Sequence, residues 1–334
     1  MRKRLKAGII GTGWSANNIA KAINWLKNVE LEGVCNHKIT TAVKFGEIYD
    51  IPFVTDDYKH LIERKCIDFV IVSLPHALHC EVTLAALESD KHVLVEKPLA
   101  TNLADGNKMV NLAKEKGLNL GIYYQNRFNE STIKAKEIID AGILGILMQA
   151  NISVFLKRDP PYYKDNSWRG TWKLEGGSAL INQAVHEIDL LMYLLGDIER
   201  VTGFYGTRFQ NIETEDTACA AFKFQNGVFG TLQCTTAVKT PFPPTINIFG
   251  TEGAIQIQKS LVKHIKADGK SQTFKNLDFN LRDIKTAAHK SIISDFVTSI
   301  IEHKAPAVPG KEGLKALEFI LGIYKSKGKS VVKL

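Results

Sequence analysis

Short apolar segments alternate with amphipathic helical segments over the first 124 residues of the chain. Each apolar segment predicts a buried parallel strand, because a parallel sheet is covered on both faces and its strands are continuously hydrophobic. The predicted strands lie at residues 5–10, 31–35, 69–74, 92–95 and 118–124. This alternation predicts an α/β domain with a doubly wound parallel sheet over residues 1–124.

The pattern changes in residues 125–334, where longer strand-like stretches occur at 148–156, 201–209, 217–224 and 228–236. Asn226-Gly227 predicts a hairpin turn, and Asp268-Gly269 predicts a second one. We therefore expect a second, α+β domain with a mostly antiparallel sheet. Residues 176–195 predict a loop followed by a helix. Further helices are expected near 131–140, 286–303 and 311–325, and the C-terminal helix could pack back on the first domain.

The composition is that of an ordinary globular protein with two domains. The 334 residues include 43 Lys+Arg and 35 Asp+Glu, a net charge of +8, and 45% are hydrophobic. No apolar run approaches the roughly 18 residues of a membrane span. The lysines are dispersed and not interleaved with aromatic residues, so we expect a phosphate-bearing ligand rather than nucleic acid.

The five cysteines are scattered along the chain without the spacing of metal ligands. They are typical of small buried side chains in a reducing compartment, so we expect a cytoplasmic protein without a metal site. They are Cys35, Cys66, Cys80, Cys219 and Cys234.

The strongest motif is Gly11-Thr12-Gly13-Trp14-Ser15-Ala16, which follows the first predicted strand and opens a helix. Gly11 permits a tight turn, Gly13 lets the backbone approach a pyrophosphate, and Ala16 lets helix and strand pack closely. The helix N-terminus offers free N–H groups to phosphates. The motif predicts dinucleotide binding by a Rossmann domain. The alternative is a glycine turn in an unrelated α/β protein.

The end of the second strand is where a carboxylate would bind the ribose 2′-hydroxyl of NAD. The sequence there is Asn36-His37-Lys38, which has no carboxylate and has a lysine that could attract a 2′-phosphate. We therefore predict binding of NADP or NAD with a slight preference for NADP. A solvated loop with no role in cofactor choice is the alternative.

Glu96-Lys97-Pro98 directly follows the fourth predicted strand. Ligands of doubly wound sheets lie beyond the carboxyl ends of the strands, where Lys97 is expected. A partly desolvated lysine beside cofactor charge can exchange a proton with an alcohol. The alternative is a surface lysine beside a turn proline, and the Lys97–Pro98 bond is a candidate for cis geometry.

A second cluster contains Trp168-Arg169 and, after two glycines, Asn182, His186 and Asp189. Asn182 and His186 are four residues apart and therefore share one helix face. Asp189 could orient the imidazole of His186. The alternative is a core or capping histidine. No pair of metal-type ligands accompanies it, which argues against zinc.

Taken together, these motifs and Tyr124-Gln125-Asn126-Arg127-Phe128 resemble the glucose–fructose oxidoreductase/inositol dehydrogenase (Gfo/Idh/MocA) family over essentially the whole chain. The resemblance implies a Rossmann domain followed by a large open antiparallel sheet that often mediates oligomerisation. It implies a homodimer or homotetramer, and hydride transfer between a nicotinamide and a carbohydrate or cyclitol. Lys97 matches the active-site lysine and His186 the catalytic histidine, whereas Asn182 stands where many members carry an aspartate.

The resemblance also implies further site residues. Cofactor contacts are expected from Ser73, Leu74, Pro75, His76, His79, Glu96, Lys97, Asn126 and Arg127. Substrate contacts are expected from Tyr124, Arg127, Tyr162, Trp168, Arg169, Asn182, Gln183 and His186. The stretch from Tyr162 to Gln183 is similar to members that oxidise nucleotide-linked amino sugars. The alternatives are a helix cap for His79, an ion pair for Arg127 and loop packing for Tyr162.

Three functions remain open from the sequence. The leading hypothesis is an NAD(P)-dependent sugar, nucleotide-sugar or cyclitol oxidoreductase with His186 and Lys97 as the acid/base pair. The substrate hydroxyl would lie between these two side chains and the nicotinamide. A nicotinamide-dependent glycoside hydrolase with transient oxidation is the second hypothesis. The third is a non-enzymatic dinucleotide-sensing protein, which Asn182 in place of an aspartate keeps open.

Overall fold

The computed structural model describes residues 4–164, 168–258, 261–275 and 281–334. Contacts divide them into two compact units. The first comprises the chain up to Gln125 together with Leu281–Leu314, and the second comprises the described residues from 126 to 275 together with Lys315–Leu334. The sequence suggested a division after residue 124, with the whole remainder in the second domain apart from a C-terminal helix that could pack on the first.

The first unit contains a parallel sheet that has six strands within the described residues. Its order is β3-β2-β1-β4-β5-β6, which reverses direction between β1 and β4 as in doubly wound dinucleotide-binding folds. The strands are β1 (Leu5–Ile10), β2 (Val29–Cys35), β3 (Phe53–Thr55), β4 (Phe69–Val72), β5 (His92–Val95) and β6 (Leu120–Ile122). The predicted Rossmann fold is confirmed, although the short strand β3 was not predicted.

Six described α-helices lie within the first unit. They are α1 (Trp14–Ile23), α2 (Ile39–Tyr49), α3 (Tyr58–Ile62), α4 (His79–Glu88), α5 (Leu103–Glu115) and α9 (Leu281–Ile301). The helix α10 (Gly310–Ser326) contains the boundary between the two units.

Helix α9 belongs to the core of the first unit despite its late position in the sequence. Phe296 is 1% exposed, and its ring lies 5.6 Å from that of Phe69 in β4. Ile293 and Val297 of the same helix are fully buried. This apolar burial explains why residues 281–314 join the first unit rather than the second.

The second unit contains a sheet that has nine strands within its described residues, in the order β14-β13-β12-β11-β7-β10-β9-β8-β15. Among these strands, only β7 and β10 pair in parallel. The strands are β7 (Leu147–Phe155), β8 (Ile198–Gly206), β9 (Thr217–Phe224), β10 (Phe229–Thr235), β11 (Thr245–Gly250), β12 (Gly253–Gln258), β13 (Leu261–Lys266), β14 (Ser271–Lys275) and β15 (Val332–Lys333). The mostly antiparallel sheet is confirmed.

Both predicted hairpin turns are also confirmed, one joining β9 to β10 and the other joining β13 to β14. Gly227 and Gly269 have positive φ angles of 93° and 80°, which explains the requirement for glycine in these turns.

Buried and exposed side chains alternate along the strands, so that the second sheet has one buried face. In β9, Ala218, Ala220 and Phe222 are buried, whereas Cys219 between them is exposed. This period of two places one set of side chains toward the helices of the unit. Those helices are α6 (Glu130–Asp140), α7 (Pro160–Lys164), a π-helical turn (Ala179–Ala184) and α8 (Val185–Leu195). None of the described helices is long and apolar enough to cross a membrane.

Substitution Phe296→Ala should destabilise the protein by about 3–5 kcal/mol, because it leaves a cavity against Phe69 inside the first unit. Urea unfolding measures the loss. The matched control is Phe229→Ala, since Phe229 is 60% exposed and should change the free energy of unfolding by less than about 0.5 kcal/mol. Equal effects of the two substitutions would contradict the assignment of α9 to the core.

Candidate active site

The glycine-rich loop between β1 and α1 is as tight as its sequence predicts. Gly11 has a φ angle of +100°, and a Cβ atom there would stand 2.0 Å from the carbonyl oxygen of Ser73. Its N–H donates to the carbonyl oxygen of Cys35 at 2.8 Å. Glycine is therefore required at this position both by its backbone conformation and by the close approach of Ser73.

Gly13 occupies the N-cap of α1, and its surroundings are open. A Cβ atom at Gly13 would meet no atom of the described residues within 4 Å. The first turn of α1 has no side-chain cap and no acidic residue, so its N–H groups are available to an anion. Trp14 and Ser15 begin this turn, and Trp14 is 71% exposed. The loop can thus accept the pyrophosphate of a dinucleotide.

The loop after β2 contains the residues predicted to choose the cofactor. Asn36 donates from Nδ2 to Thr12 Oγ1 at 2.7 Å, and its Oδ1 accepts the Lys38 N–H at 2.9 Å. Asn36 therefore joins this loop to the glycine-rich loop. The side chains of His37 and Lys38 are exposed. Their predicted contacts with a cofactor stay predictions.

Glu96 connects the glycine-rich loop to Lys97 within the first unit. Its carboxylate accepts a hydrogen bond from Ser15 Oγ and another from the backbone N–H of Lys97 at 3.2 Å. Burial raises the pKa of Glu96, while the hydrogen bond from Ser15 and the charge of Lys97 oppose that rise. The Lys97–Pro98 peptide bond is cis, as suggested by the sequence. These contacts fix the backbone of Lys97 beyond the carboxyl end of β5.

The imidazole of His79 is fully buried beside the same segment. Its Nδ1 lies 2.8 Å from the carbonyl oxygen of Pro98, and its Nε2 lies 2.9 Å from that of Leu74. Burial lowers the pKa of His79 to about 4, against the effect of these two carbonyls. The predicted cofactor contact of His79 stays a prediction. His79 joins the end of β4 to the Lys97-Pro98 segment.

The other residues predicted after β4 lie in a short 3-10 turn and the loop before it. The Ser73 N–H donates to Ile10 at 2.8 Å, which places residues 73–75 beside the glycine-rich loop. Leu74 and Pro75 are partly exposed, and His76 is buried. Their predicted role as cofactor contacts stays a prediction.

A buried carboxylate, Glu215, organises the glycine loop of the second unit. It accepts hydrogen bonds from the Ser178 N–H at 3.1 Å, the Leu180 N–H at 2.9 Å and the Tyr324 hydroxyl at 2.7 Å. Gly177 has a φ angle of +135°, and a Cβ atom there would meet the Tyr324 hydroxyl at 2.1 Å. Glu215 thereby holds the start of the π-helical turn that carries Asn182.

Asn182 lies against a second buried carboxylate, Glu175. Its Nδ2 donates to Glu175 Oε1 at 2.5 Å, and the other Glu175 oxygen accepts the Gly170 N–H at 2.5 Å. Burial raises the pKa of Glu175 to about 7 despite these two hydrogen bonds. His186 follows in the first turn of α8 and is partly exposed.

Tyr162 lies beside Asn182 and brings several predicted substrate residues together. Its hydroxyl accepts from Gln183 Nε2 at 2.8 Å and from Asn182 Nδ2 at 3.3 Å. The guanidinium of Arg169 lies 3.9 Å from the centre of the Tyr162 ring and 5.2 Å from that of Trp168. The structure thus gathers Tyr162, Trp168, Arg169, Asn182 and Gln183 into one cluster.

Arg127 and Asp189 form a buried ion pair with each other. Arg127 Nη2 lies 2.6 Å from Asp189 Oδ1, and Nε lies 3.0 Å from Oδ2. The side chains are 7% and 2% exposed. The predicted action of Asp189 on His186 and the predicted ligand contacts of Arg127 stay predictions, while the ion pair gives both residues a place in the packing of α8.

The two other residues predicted around this segment are Tyr124 and Asn126. Tyr124 is 1% exposed at the end of the first unit's sheet. The carbonyl of Asn126 accepts the Thr132 hydroxyl at 2.9 Å and thereby joins the turn to α6. The predicted ligand contacts of Tyr124 and Asn126 stay predictions.

Sequence reasoning missed Glu175, Glu215 and Arg158, which surround the second-unit cluster. Glu175 directly precedes the two glycines and could have been noticed there. Glu215 and Arg158 lie in segments that carry no recognisable motif. No group of three or more metal-ligating side chains occurs within the described residues.

Comparison with known proteins agrees with both halves of this description. The NAD-binding Rossmann-fold model of the oxidoreductase family matches residues 5–124, and the GFO/IDH/MocA C-terminal domain matches residues 132–256. The chain belongs to the Gfo/Idh/MocA family and is an NAD-binding oxidoreductase.

Similar relatives extend over most of the chain. The 1,5-anhydro-D-fructose reductase of Ensifer adhaerens is 32% identical over 281 residues, 80% of each chain. The myo-inositol 2-dehydrogenase of Thermotoga maritima is 24% identical and covers 97% of this chain and 96% of its own. The WlbA dehydrogenase of Bordetella pertussis, solved with NADH and UDP-GlcNAcA, is 26% identical, covers 99% of each chain and has a TM-score of 0.87.

Substitution Gly13→Ala should weaken NADH binding by about tenfold or more, because a methyl group would occupy the space where α1 receives the pyrophosphate. The melting temperature should stay near that of the wild type, since the new methyl group contacts nothing within the fold. Fluorescence titration with NADH and thermal unfolding measure the two effects.

The control is Gly11→Ala, which should lower the melting temperature as well as the affinity because it collides with Ser73. Undiminished NADH affinity in Gly13→Ala would contradict the placement of the cofactor at this helix.

Proposed function

We propose that this protein transfers a hydride between a nicotinamide cofactor and a hydroxyl or ketone carbon of a sugar, nucleotide-linked sugar or cyclitol. The observation that carries the proposal is the anchored Lys97 at the carboxyl end of β5, in a sheet whose glycine-rich loop accepts a dinucleotide. The relatives support the substrate class, because two are named for 1,5-anhydro-D-fructose and myo-inositol and the third was solved with UDP-GlcNAcA.

When bound, the nicotinamide accepts or supplies the hydride. The proton of the substrate hydroxyl must then be removed or returned by a side chain. We assign this exchange to the imidazole of His186, with the Lys97 ammonium orienting the oxygen and stabilising its charge. The reverse assignment uses the same two groups.

Contacts within each unit support these roles. The Lys97 backbone is held by the Glu96 carboxylate and by the segment that His79 contacts at Pro98. His186 lies in the first turn of α8, which follows the π-helical turn directly, and Glu215 holds the start of that π-helical turn. π-Helical turns inside helices frequently occur at functional sites.

Substitutions Lys97→Ala and His186→Ala should each lower kcat by about 10²–10⁴, because each removes a group that handles the hydroxyl proton. NADH affinity of His186→Ala should remain close to that of the wild type. The assay records the absorbance of reduced nicotinamide while each enzyme is incubated with pooled sugars, inositols and UDP-sugars. Near-native turnover of both variants would contradict the assignment, and release of free sugar from a glycoside without net cofactor reduction would indicate a hydrolase.

The preference for NADP predicted from Asn36, His37 and Lys38 is not confirmed by the comparisons, whose solved relative contains NADH. If the preference holds, Lys38→Ala should weaken the binding of NADP more than that of NAD, because the exposed ammonium of Lys38 would bind only the 2′-phosphate. Parallel titrations of the wild type and the variant measure the four affinities. Equal or tighter binding of NAD by the wild type would reverse the predicted preference.

A further inference from the structure

The hydrogen bonds around the Tyr162 hydroxyl leave it one further hydrogen-bonding role, the donation of its own hydrogen. Its oxygen accepts from Gln183 Nε2 at 2.8 Å and from Asn182 Nδ2 at 3.3 Å. A phenolic oxygen that accepts two hydrogen bonds can still donate its own hydrogen. No acceptor for that hydrogen lies within bonding distance among the described residues, and the side chain is partly exposed.

The orientation of the Gln183 side-chain amide is fixed by the guanidinium of Arg158. Arg158 donates from Nη2 at 2.6 Å and from Nε at 3.2 Å to the Gln183 Oε1 atom. A guanidinium has donors and no acceptor, so Gln183 must turn its oxygen to Arg158. Its amide nitrogen is thereby directed to Tyr162.

The orientation of the Asn182 side-chain amide is fixed by the carboxylate of Glu175. Glu175 Oε1 lies 2.5 Å from Asn182 Nδ2, and the second carboxylate oxygen is held by the Gly170 N–H. An ionised carboxylate only accepts hydrogen bonds, so Asn182 must turn its nitrogen to Glu175. The same nitrogen then donates its second hydrogen toward Tyr162.

This arrangement is strongest when Glu175 is ionised, because both of its oxygens then only accept hydrogen bonds. Burial raises its pKa to about 7, so the carboxylate predominates in mildly alkaline solution. The groups that act on it are the carboxylate of Glu215, the guanidinium of Arg169 and the hydroxyls of Tyr162, Tyr163 and Tyr324.

The ring of Tyr162 is also placed against positive charge. The guanidinium carbon of Arg169 lies 3.9 Å and that of Arg158 lies 5.0 Å from the ring centre. Burial raises the pKa of Tyr162, and the charges of Arg169 and Arg158 oppose that rise without reversing it, so the phenol keeps its hydrogen for donation.

We propose that Tyr162 donates its hydroxyl hydrogen to an oxygen atom of the substrate, and that Arg158 and Glu175 are positioning residues for this donation. The proposal rests on the proposed function, because the acceptor is an oxygen of the sugar or cyclitol that undergoes hydride transfer. A carbonyl, ring or hydroxyl oxygen satisfies the donor, whereas an ammonium group would meet the charges of Arg158 and Arg169. The cluster therefore selects oxygen over a charged amine at this position of the substrate.

Substitution Tyr162→Phe tests the donation, because it removes only the hydroxyl. It should lower kcat/KM by about tenfold, while NADH affinity stays near that of the wild type. The probes are myo-inositol, 1,5-anhydro-D-fructose and UDP-GlcNAcA at pH 8. The control is Tyr163→Phe, whose hydroxyl lies 2.9 Å from Thr236 Oγ1 within the fold; it should lower the melting temperature and leave kcat/KM unchanged. Wild-type kcat/KM in Tyr162→Phe would overturn the proposal.

Substitution Glu175→Gln tests the positioning step. It should lower kcat/KM alone but cause little further loss when combined with Tyr162→Phe, since both act through the same hydroxyl. Additive losses would overturn the role of Glu175.

Carbon-13 resonances of tyrosine Cζ provide a readout that needs no substrate. The Tyr162 signal, assigned from Tyr162→Phe, should move as pH passes through the ionisation of Glu175 and should lose that movement in Glu175→Gln. A signal unaffected by Glu175→Gln would overturn the proposal. A wild-type enzyme inactive with all three probes would instead count against the proposed function, and the Tyr162 resonance would still decide the hydrogen-bond arrangement.

Discussion

The candidate-site residues of the second unit depend on one buried side chain, the carboxylate of Glu215. It lies in the interior and accepts from the N–H groups that begin the π-helical turn and from the Tyr324 hydroxyl. Without this acceptor the Ser178 and Leu180 N–H groups would be buried and unsatisfied, which is costly in a protein interior. Asn182 lies in that turn and His186 follows it, so the Glu215 carboxyl group contributes to the position of both.

Buried carboxylates serve the same purpose in both units. Glu96 receives hydrogen bonds from Ser15 and from the backbone of Lys97, and Glu175 receives them from Gly170 and Asn182. Burial raises the pKa of both acids. Glu96 lies beside Lys97, which the proposed reaction uses, and Glu175 lies beside Asn182. Desolvating an acid is unfavourable, and here the acid also fixes the direction of its functional neighbour.

Several candidate residues therefore have structural partners that a list of site residues would not reveal. Asp189 is paired with Arg127, and His79 with the carbonyls of Leu74 and Pro98. These contacts hold backbone segments that carry other candidate residues. A charged or aromatic residue within a motif can thus be required because it shapes the site.

The sequence by itself determined the features that depend on local pattern. Continuous apolar runs predicted the parallel strands, Asn226-Gly227 predicted a hairpin, and the glycine-rich motif predicted the dinucleotide loop, because these depend on backbone conformation and neighbouring residues. Only the tertiary structure decided that α9 completes the first core and that Glu175 and Glu215 orient Asn182 and its turn. Those contacts join residues far apart in the chain or depend on burial, and neither long-range proximity nor desolvation can be read from local sequence.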